Sequence, residues 1–489
     1  MLINSLMNSL LLNNNKEIAE KRLAITFSWS EYKWPLAFLL SMSMIGLWFP
    51  IGFVAVPLLL INRFRNNRYD FLIMLVIWLG GFGFTAEGTY PVKTFDVALL
   101  LSAILIIVYK NRGIVKKSVI TWLAFCSGIF IISLFSEESL AIQFRLMRYT
   151  FLFSCFIIPI VCFSSRNFDI KVFFSSLMPY IIIILAFYIL DGLVVCGFIF
   201  LPRTPLYGNI PDSFFYSPIV YGFPYFMRKY PQALILLSLV IYPIARFYKM
   251  NWWFMLMFIG ASVACQTFTV LSGFVVGYIV SILKLRSIIK YIIGIAVLFT
   301  CIYFIDGLLP ESKNESGNES FLRVKSSIDQ IISIAEINDD IDLAALGSGR
   351  VGQALPKLEL VNALDKEMTG LGFLHPTLTT NPKYIIDNEY YLNVENSEEV
   401  ATKLIENELL QIFVTTGWMG LMCYFIFFPL TYFYVRKFEY GRYYMSVLVM
   451  IFWFGMGAYG GLTAGDGLII LSLAYGVTLL SGRKDREWA

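Results

Sequence analysis

The chain has 489 residues, of which 58% are hydrophobic and 15% charged, with 38 Lys and Arg against 34 Asp and Glu. So much apolar surface cannot be hidden in one soluble core, which excludes an ordinary soluble domain and predicts a protein of the bilayer. A formal charge of +4, without a basic cluster interleaved with aromatics, excludes nucleic acid as the expected partner.

Residues 1–35 carry Lys16, Lys21 and Arg22 but no small-residue cleavage site behind a short apolar run. They predict a cytoplasmic N-terminal segment without a cleavable signal. Apolar stretches of spanning character follow at 36–61, 71–86, 95–109, 118–135, 148–163, 172–200, 231–247, 252–266, 268–284 and 288–309, and again at 408–433, 443–461 and 466–481. The first is interrupted by Trp48-Phe49-Pro50 and reads either as one tilted helix or as a short hairpin, giving 13 or 14 passes. The expected fold class is therefore all-α and polytopic. Residues 36–309 form a transmembrane helical domain, 310–407 a large outward cap, and 408–489 the last spans and a cytoplasmic tail.

The orientation follows from the basic loops. Arg63, Arg65 and Arg68, then Lys110, Arg112, Lys116 and Lys117, then Arg166 and Lys171, and so on to Arg483, Lys484 and Arg486, occupy alternate connections, which the positive-inside rule puts in the cytoplasm. The polar insert at 310–407 then faces outward, and it holds half of the chain's acidic residues. Within it, 320–341 has apolar residues at helical spacing and 351–368 reads as a second helix, so the cap is expected to be mostly helical. The seven cysteines all fall in apolar segments without ligand spacing, which predicts neither a disulfide framework nor a zinc site.

Several charges stand where the orientation rule disfavours them. Arg145 and Arg148 lie at the outer end of one span, and Arg203 and Arg228 lie in the outward loop at 201–230. Arginine grips phosphate with two parallel donors and never loses its charge, so these four together with Arg350 are candidate diphosphate ligands. The alternative is pairing with lipid phosphates or with Glu137 and Glu138. Asp191, late in a long span, and the polar turn from Cys265 to Gly273 are further points of interest.

Candidate proton acceptors cluster in the cap. His375, the one histidine of the chain, follows the turn Gly370-Leu371-Gly372-Phe373. Glu406 and Glu408 open an apolar helix that is expected to run straight into the membrane through Gly417-Trp418-Met419-Gly420. Partial burial there would raise a carboxylate toward the range useful to a base, although acids at a helix start are also ordinary dipole partners. No carboxylate motif for a divalent metal stands out.

The dozen or more spans, the outward loop with Ser348-Gly349-Arg350 and Gly370-Leu371-Gly372-Phe373, and Glu406-Asn407 followed by Leu410, Gly417 and Gly420 together resemble the O-antigen polymerase and ligase superfamily, the Wzy and WaaL type. In that family a His-Asn or Glu-Asn pair opens the span after the large loop and precedes a leucine and a Gly-x-x-Gly. One departure is the hairpin, which often reads Ser-Arg-Gly in the family and here reads Leu271-Ser272-Gly273.

The resemblance implies a GT-C-type glycosyltransferase, independent of metal and cofactor, in the bacterial inner membrane with its site facing the periplasm. Its implied partners are an undecaprenyl-diphosphate-linked oligosaccharide donor and acceptor, membrane lipids and a chain-length regulator. Glu406 in place of the usual ligase histidine leans toward polymerase over ligation to lipid A core. A transporter or lipid-linked oligosaccharide flippase is the competing class; it predicts charges near the midplane and related halves, whereas these charges lie at the outer boundary.

Overall fold

The structure, a computed structural model, describes residues 28–46, 50–82, 113–135, 168–195, 232–248, 252–265, 268–282, 364–372, 407–456, 461–462 and 465–481. It also describes shorter pieces at 140, 143–144, 157–158, 161, 219–220, 223–224, 357–358 and 361–362. The regular elements among these are helical, apart from one antiparallel pair of two-residue strands, Ile219–Val220 (β1) and Phe223–Pro224 (β2). The all-α expectation holds.

The helices are α1 (Trp29–Gly46), α2 (Pro50–Asn66), α3 (Arg68–Gly80), α4 (Gly113–Ser133), α5 (Ile170–Val195), α6 (Ser238–Arg246, led in by a 3-10 turn over Gln232–Leu237), α7 (Trp252–Cys265), α8 (Phe268–Ile282), α9 (Glu408–Val435), α10 (Gly441–Gly455) and α11 (Gly465–Leu480). The first apolar stretch is thus a hairpin of α1 and α2, parted at the point where Trp48-Phe49-Pro50 interrupts the sequence. Proline cannot donate to the preceding turn, and Pro50 stands at the first position of α2, where no donor is needed.

Packing radiates from α5, α10 and α11. From Leu468 to Leu479 almost every side chain of α11 is buried, and α5 is buried over most of its length. Gly277 lets α8 lie against Ile241 of α6 and Met450 of α10, while Gly273 receives the ring of Trp453. Ser272 and Gly273, expected in a polar turn, instead lie within α8, and Trp453 Nε1 donates to Ser272 Oγ at 2.9 Å, so both residues serve the α8–α10 contact. On the other flank the fully buried Trp122 of α4 sits edge-on to Phe427 of α9 at 5.2 Å, beside Tyr475 of α11.

The two ends of the bundle differ in chemistry. At one, Arg63 pairs with Asp70 at 2.8 Å, Asn67 caps α3, the Asp169 amide donates to Tyr69 Oη, and Arg246 Nε donates to the Ser281 carbonyl at the end of α8. The α9–α10 connection, with Arg436 and Arg442, joins this end through Tyr440 and Ser481. The described parts of the basic loops therefore converge on one end. The cap residues 364–372 sit at the other, where Lys366 Nζ donates to the Phe135 carbonyl just past α4 at 2.8 Å.

Between these ends several helices carry exposed apolar stripes. Ile51, Val54, Leu58 and Ile61 recur at helical spacing along α2, as do Met422, Phe425, Ile426, Leu430 and Phe433 along α9. Two helices, Ile170–Leu190 within α5 and α9 itself, are long and apolar enough to cross a membrane; six other apolar helices among the described residues are shorter.

Replacing Trp122 with alanine is expected to lower the unfolding free energy by about 3–5 kcal/mol, because a fully buried ring is lost from a close-packed seam. Trp122→Phe should cost markedly less. Phenylalanine keeps an aromatic ring and removes an indole N–H that finds no acceptor among the described residues. Denaturant titration of the detergent-solubilised protein measures both, and equal losses would contradict this packing account.

Candidate functional site

The sequence leads one to expect α9 to enter the bundle unbroken, and the structure corrects this. At Gly417 the backbone leaves helical geometry (φ 60, ψ −162), a combination open essentially to glycine alone. The break divides α9 into 408–416 and 418–435. It leaves carbonyls at the end of the first half and amides at the start of the second without helical partners.

A turn of the cap supplies those partners. The cap helix expected over 351–368 ends early: Asp365 adopts φ 53, its amide donates to the Asn362 carbonyl, and the Lys366 amide reaches back to the Val361 carbonyl at 2.9 Å. That pair of bonds around a left-handed residue is a Schellman ending, here on aspartate rather than the more usual glycine. The chain then turns through 367–370 onto Gly370 (φ 68) and Gly372 (φ 83).

Turn and break pair in both directions. The Leu371 amide donates to the Val414 carbonyl at 2.8 Å and the Gly372 amide to the Thr415 carbonyl at 2.9 Å. In return the Trp418 amide donates to the Glu367 carbonyl at 2.9 Å and the Met419 amide to the Met368 carbonyl at 3.1 Å. One short cap segment thus closes the end of one half-helix and the start of the next. A methyl group on Gly370 would overlap the Thr415–Thr416 peptide, and one on Gly417 would overlap the Met368 carbonyl group. Gly420 completes the arrangement by leaving room for Thr416, whose hydroxyl donates to the Ile412 carbonyl at 2.7 Å. Val361, Leu371 and Val414 form a small buried cluster behind the pairing, flanked by Leu358, Leu364, Leu410 and Phe413.

Of the candidate site residues, Glu408 is the one whose side chain the structure describes. It is 3% exposed, directly after Asn407, whose side chain caps α9 by accepting from the Leu410 amide at 3.2 Å. Its carboxylate lies in the space that side chains at Gly455 and Gly461 would fill. Glu406, His375, Arg145, Arg148, Arg203, Arg228 and Arg350 lie outside the described residues, as does the side chain of Asp191. The described residues nearest in sequence to His375 and Glu406, which are Gly372 and Asn407, both belong to the cap-bearing end.

Lys357 escaped the sequence reading. It is 1% exposed, one helical turn before Val361, and burial lowers its ammonium from 10.5 to about 8. Nothing in Leu355-Pro356-Lys357-Leu358 marks it locally except a cation among apolar neighbours. Among the described residues no group of three or more His, Cys, Asp or Glu side chains gathers as metal ligands would. Comparison with known protein families, with curated proteins and with solved structures found no match.

Gly417→Ala is expected to cost at least about 1–3 kcal/mol from the backbone conformation alone, and to release the cap turn. Limited proteolysis should then cut within 364–372 faster than in the wild type, and an unchanged cleavage pattern would count against the pairing. Lys357 predicts a pH dependence. Between about 8 and 10.5 the unfolded chain binds the proton that the folded one has lost, so stability rises with pH across that window. The thermal-midpoint difference between Lys357→Met and wild type should therefore narrow as pH rises through it.

Proposed function

We propose that this protein is a multi-pass membrane glycosyltransferase of the Wzy type, joining undecaprenyl-diphosphate-linked repeat units at the periplasmic face of a bacterial inner membrane. The observation that carries the reading is the docking of the cap turn into the broken start of α9, at the end of the bundle opposite the basic loops. That docking fixes Gly372, three residues before His375, and the half-helix that follows Glu406-Asn407. The exposed stripes on α2 and α9 support the bilayer setting, since apolar faces of that extent suit lipid contact.

In this reading the acceptor sugar hydroxyl attacks the anomeric carbon of the donor. The bond from that carbon to the diphosphate oxygen breaks, and the lipid diphosphate leaves with the bonding pair. Glu406 takes the hydroxyl proton, with His375 as the second candidate. Arg145, Arg148, Arg203, Arg228 and Arg350 are candidates to hold the charge that develops on the departing diphosphate. Ligation to lipid A core would use the same chemistry with another acceptor.

A carrier is the less favoured class. Broken helices of carriers place their breaks near the midplane, around the cargo. Here 18 residues of α9 follow the break at 418–435, roughly 27 Å of helix, so the break stands at one end of a span.

Purified protein given radiolabelled lipid-linked donor in detergent tests the proposal, because a carrier forms no new glycosidic bond. Glu406→Gln should abolish elongation and His375→Gln reduce it partly. Arg203→Ala and Arg350→Ala should each lower it roughly a hundredfold. Absence of any labelled product longer than the donor from the wild-type protein would sink the reading.

A further inference from the structure

Glu406 and Glu408 look alike in sequence, but the surroundings of Glu408 give it a separate task. A base must reach the proton it removes. Glu408 is closed off from solvent, and its carboxylate is seated against two glycines outside α9. Gly455 is the last residue of α10, and Gly461 lies shortly before α11. A methyl on either would overlap Oε2 of Glu408, and one on Gly455 would also stand 2.8 Å from Gly461 Cα. The pocket exists because both positions lack a side chain.

We propose that Glu408 is a positioning residue: its carboxylate occupies a socket formed by Gly455 and Gly461, and this holds the start of α9 at Asn407, the residue that follows Glu406 in the sequence. The proposal rests on the glycosyl-transfer reading for the role of Glu406 and on geometry for the rest. The half-helix 408–416 is about 13 Å long and is held at its far end by the cap turn, through the carbonyls of Val414 and Thr415. Glu408 holds its near end against α10 and the approach to α11. With both ends held the half-helix has one orientation; with the near end loose it pivots about Gly417. Asn407, the described residue next to Glu406 in the sequence, is extended (φ −131, ψ 117) and caps the half-helix through its side chain. A displacement near 1 Å at a reacting group can cost a hundredfold in rate, so the socket acts on turnover without touching substrate.

The test is a double-mutant cycle on the full-length protein in detergent. Gly461→Ala is expected to lower the thermal midpoint by several degrees in the wild-type background and by less beside Glu408→Ala, where the overlap with Oε2 is gone and only the 2.7 Å approach to Gly455 Cα remains. Should Glu408→Ala not fold, Glu408→Asp, one methylene shorter, takes its place in the cycle. Elongation should fall about tenfold to a hundredfold in Glu408→Ala. In Glu408→Gln the acid limb of the pH–rate profile should stay at its wild-type position, because the base is elsewhere. Additive midpoint losses would overturn the socket, and so would full elongation by Glu408→Ala. Loss of the acid limb in Glu408→Gln at a wild-type midpoint would make Glu408 the base instead. If the wild-type protein elongates nothing, the glycosyl-transfer reading fails while the midpoint cycle still decides the socket.

Discussion

The reciprocal backbone pairing between the cap turn and the broken helix is the constraint on which this end of the molecule depends. An unpaired amide or carbonyl away from water costs free energy comparable to a lost hydrogen bond, and a broken helix creates several at once. Four bonds from Glu367, Met368, Leu371 and Gly372 meet that need on both sides of Gly417. Within a bilayer the need is sharper, because irregular backbone there is tolerated only where protein or a water-lined cavity satisfies it. The cap is in this sense part of α9, and the conformation of each is set by the other.

Lys366 extends the constraint. By donating to the Phe135 carbonyl it ties the same turn to the end of α4, and α4 packs through Trp122 and Phe125 on the second half of α9. The cap turn is thereby anchored to two helices that also hold each other. Closing that triangle gives the turn a fixed place relative to the bundle, which a loop with one attachment would lack.

Much of the helical frame was legible from hydropathy. The stretches at 252–266 and 268–284 became α7 and α8 almost residue for residue, and α11 matches 466–481. Sequence alone does not decide between one helix and the opening hairpin, because Trp48-Phe49-Pro50 sits inside continuous apolar sequence and hydropathy does not register a change of direction. The break at Gly417 was hidden for a related reason: its partners lie some 45 residues upstream, and a window sees only neighbours. Gly370, Gly372, Gly417 and Gly420 were visible as motifs, yet their pairing depends on two backbones approaching, which spacing alone does not specify. Glu408 read as a member of an acidic pair because its socket is made by Gly455 and Gly461, residues with no side chain to signal it.

The order of these segments along the chain adds a matter of timing. Synthesis delivers 364–372 before 408–435, so the segment that pairs with the break in α9 is made before α9 emerges. In a membrane setting the late-arriving helix would otherwise present its open carbonyls at Val414 and Thr415 to the interface while waiting for a partner. With its partner segment already made, 408–416 can pair with it as soon as it emerges, while 418–435 forms a regular helix. Reversing that order, as a circular permutation would, is then a change to the assembly route even where every contact in the finished protein is preserved.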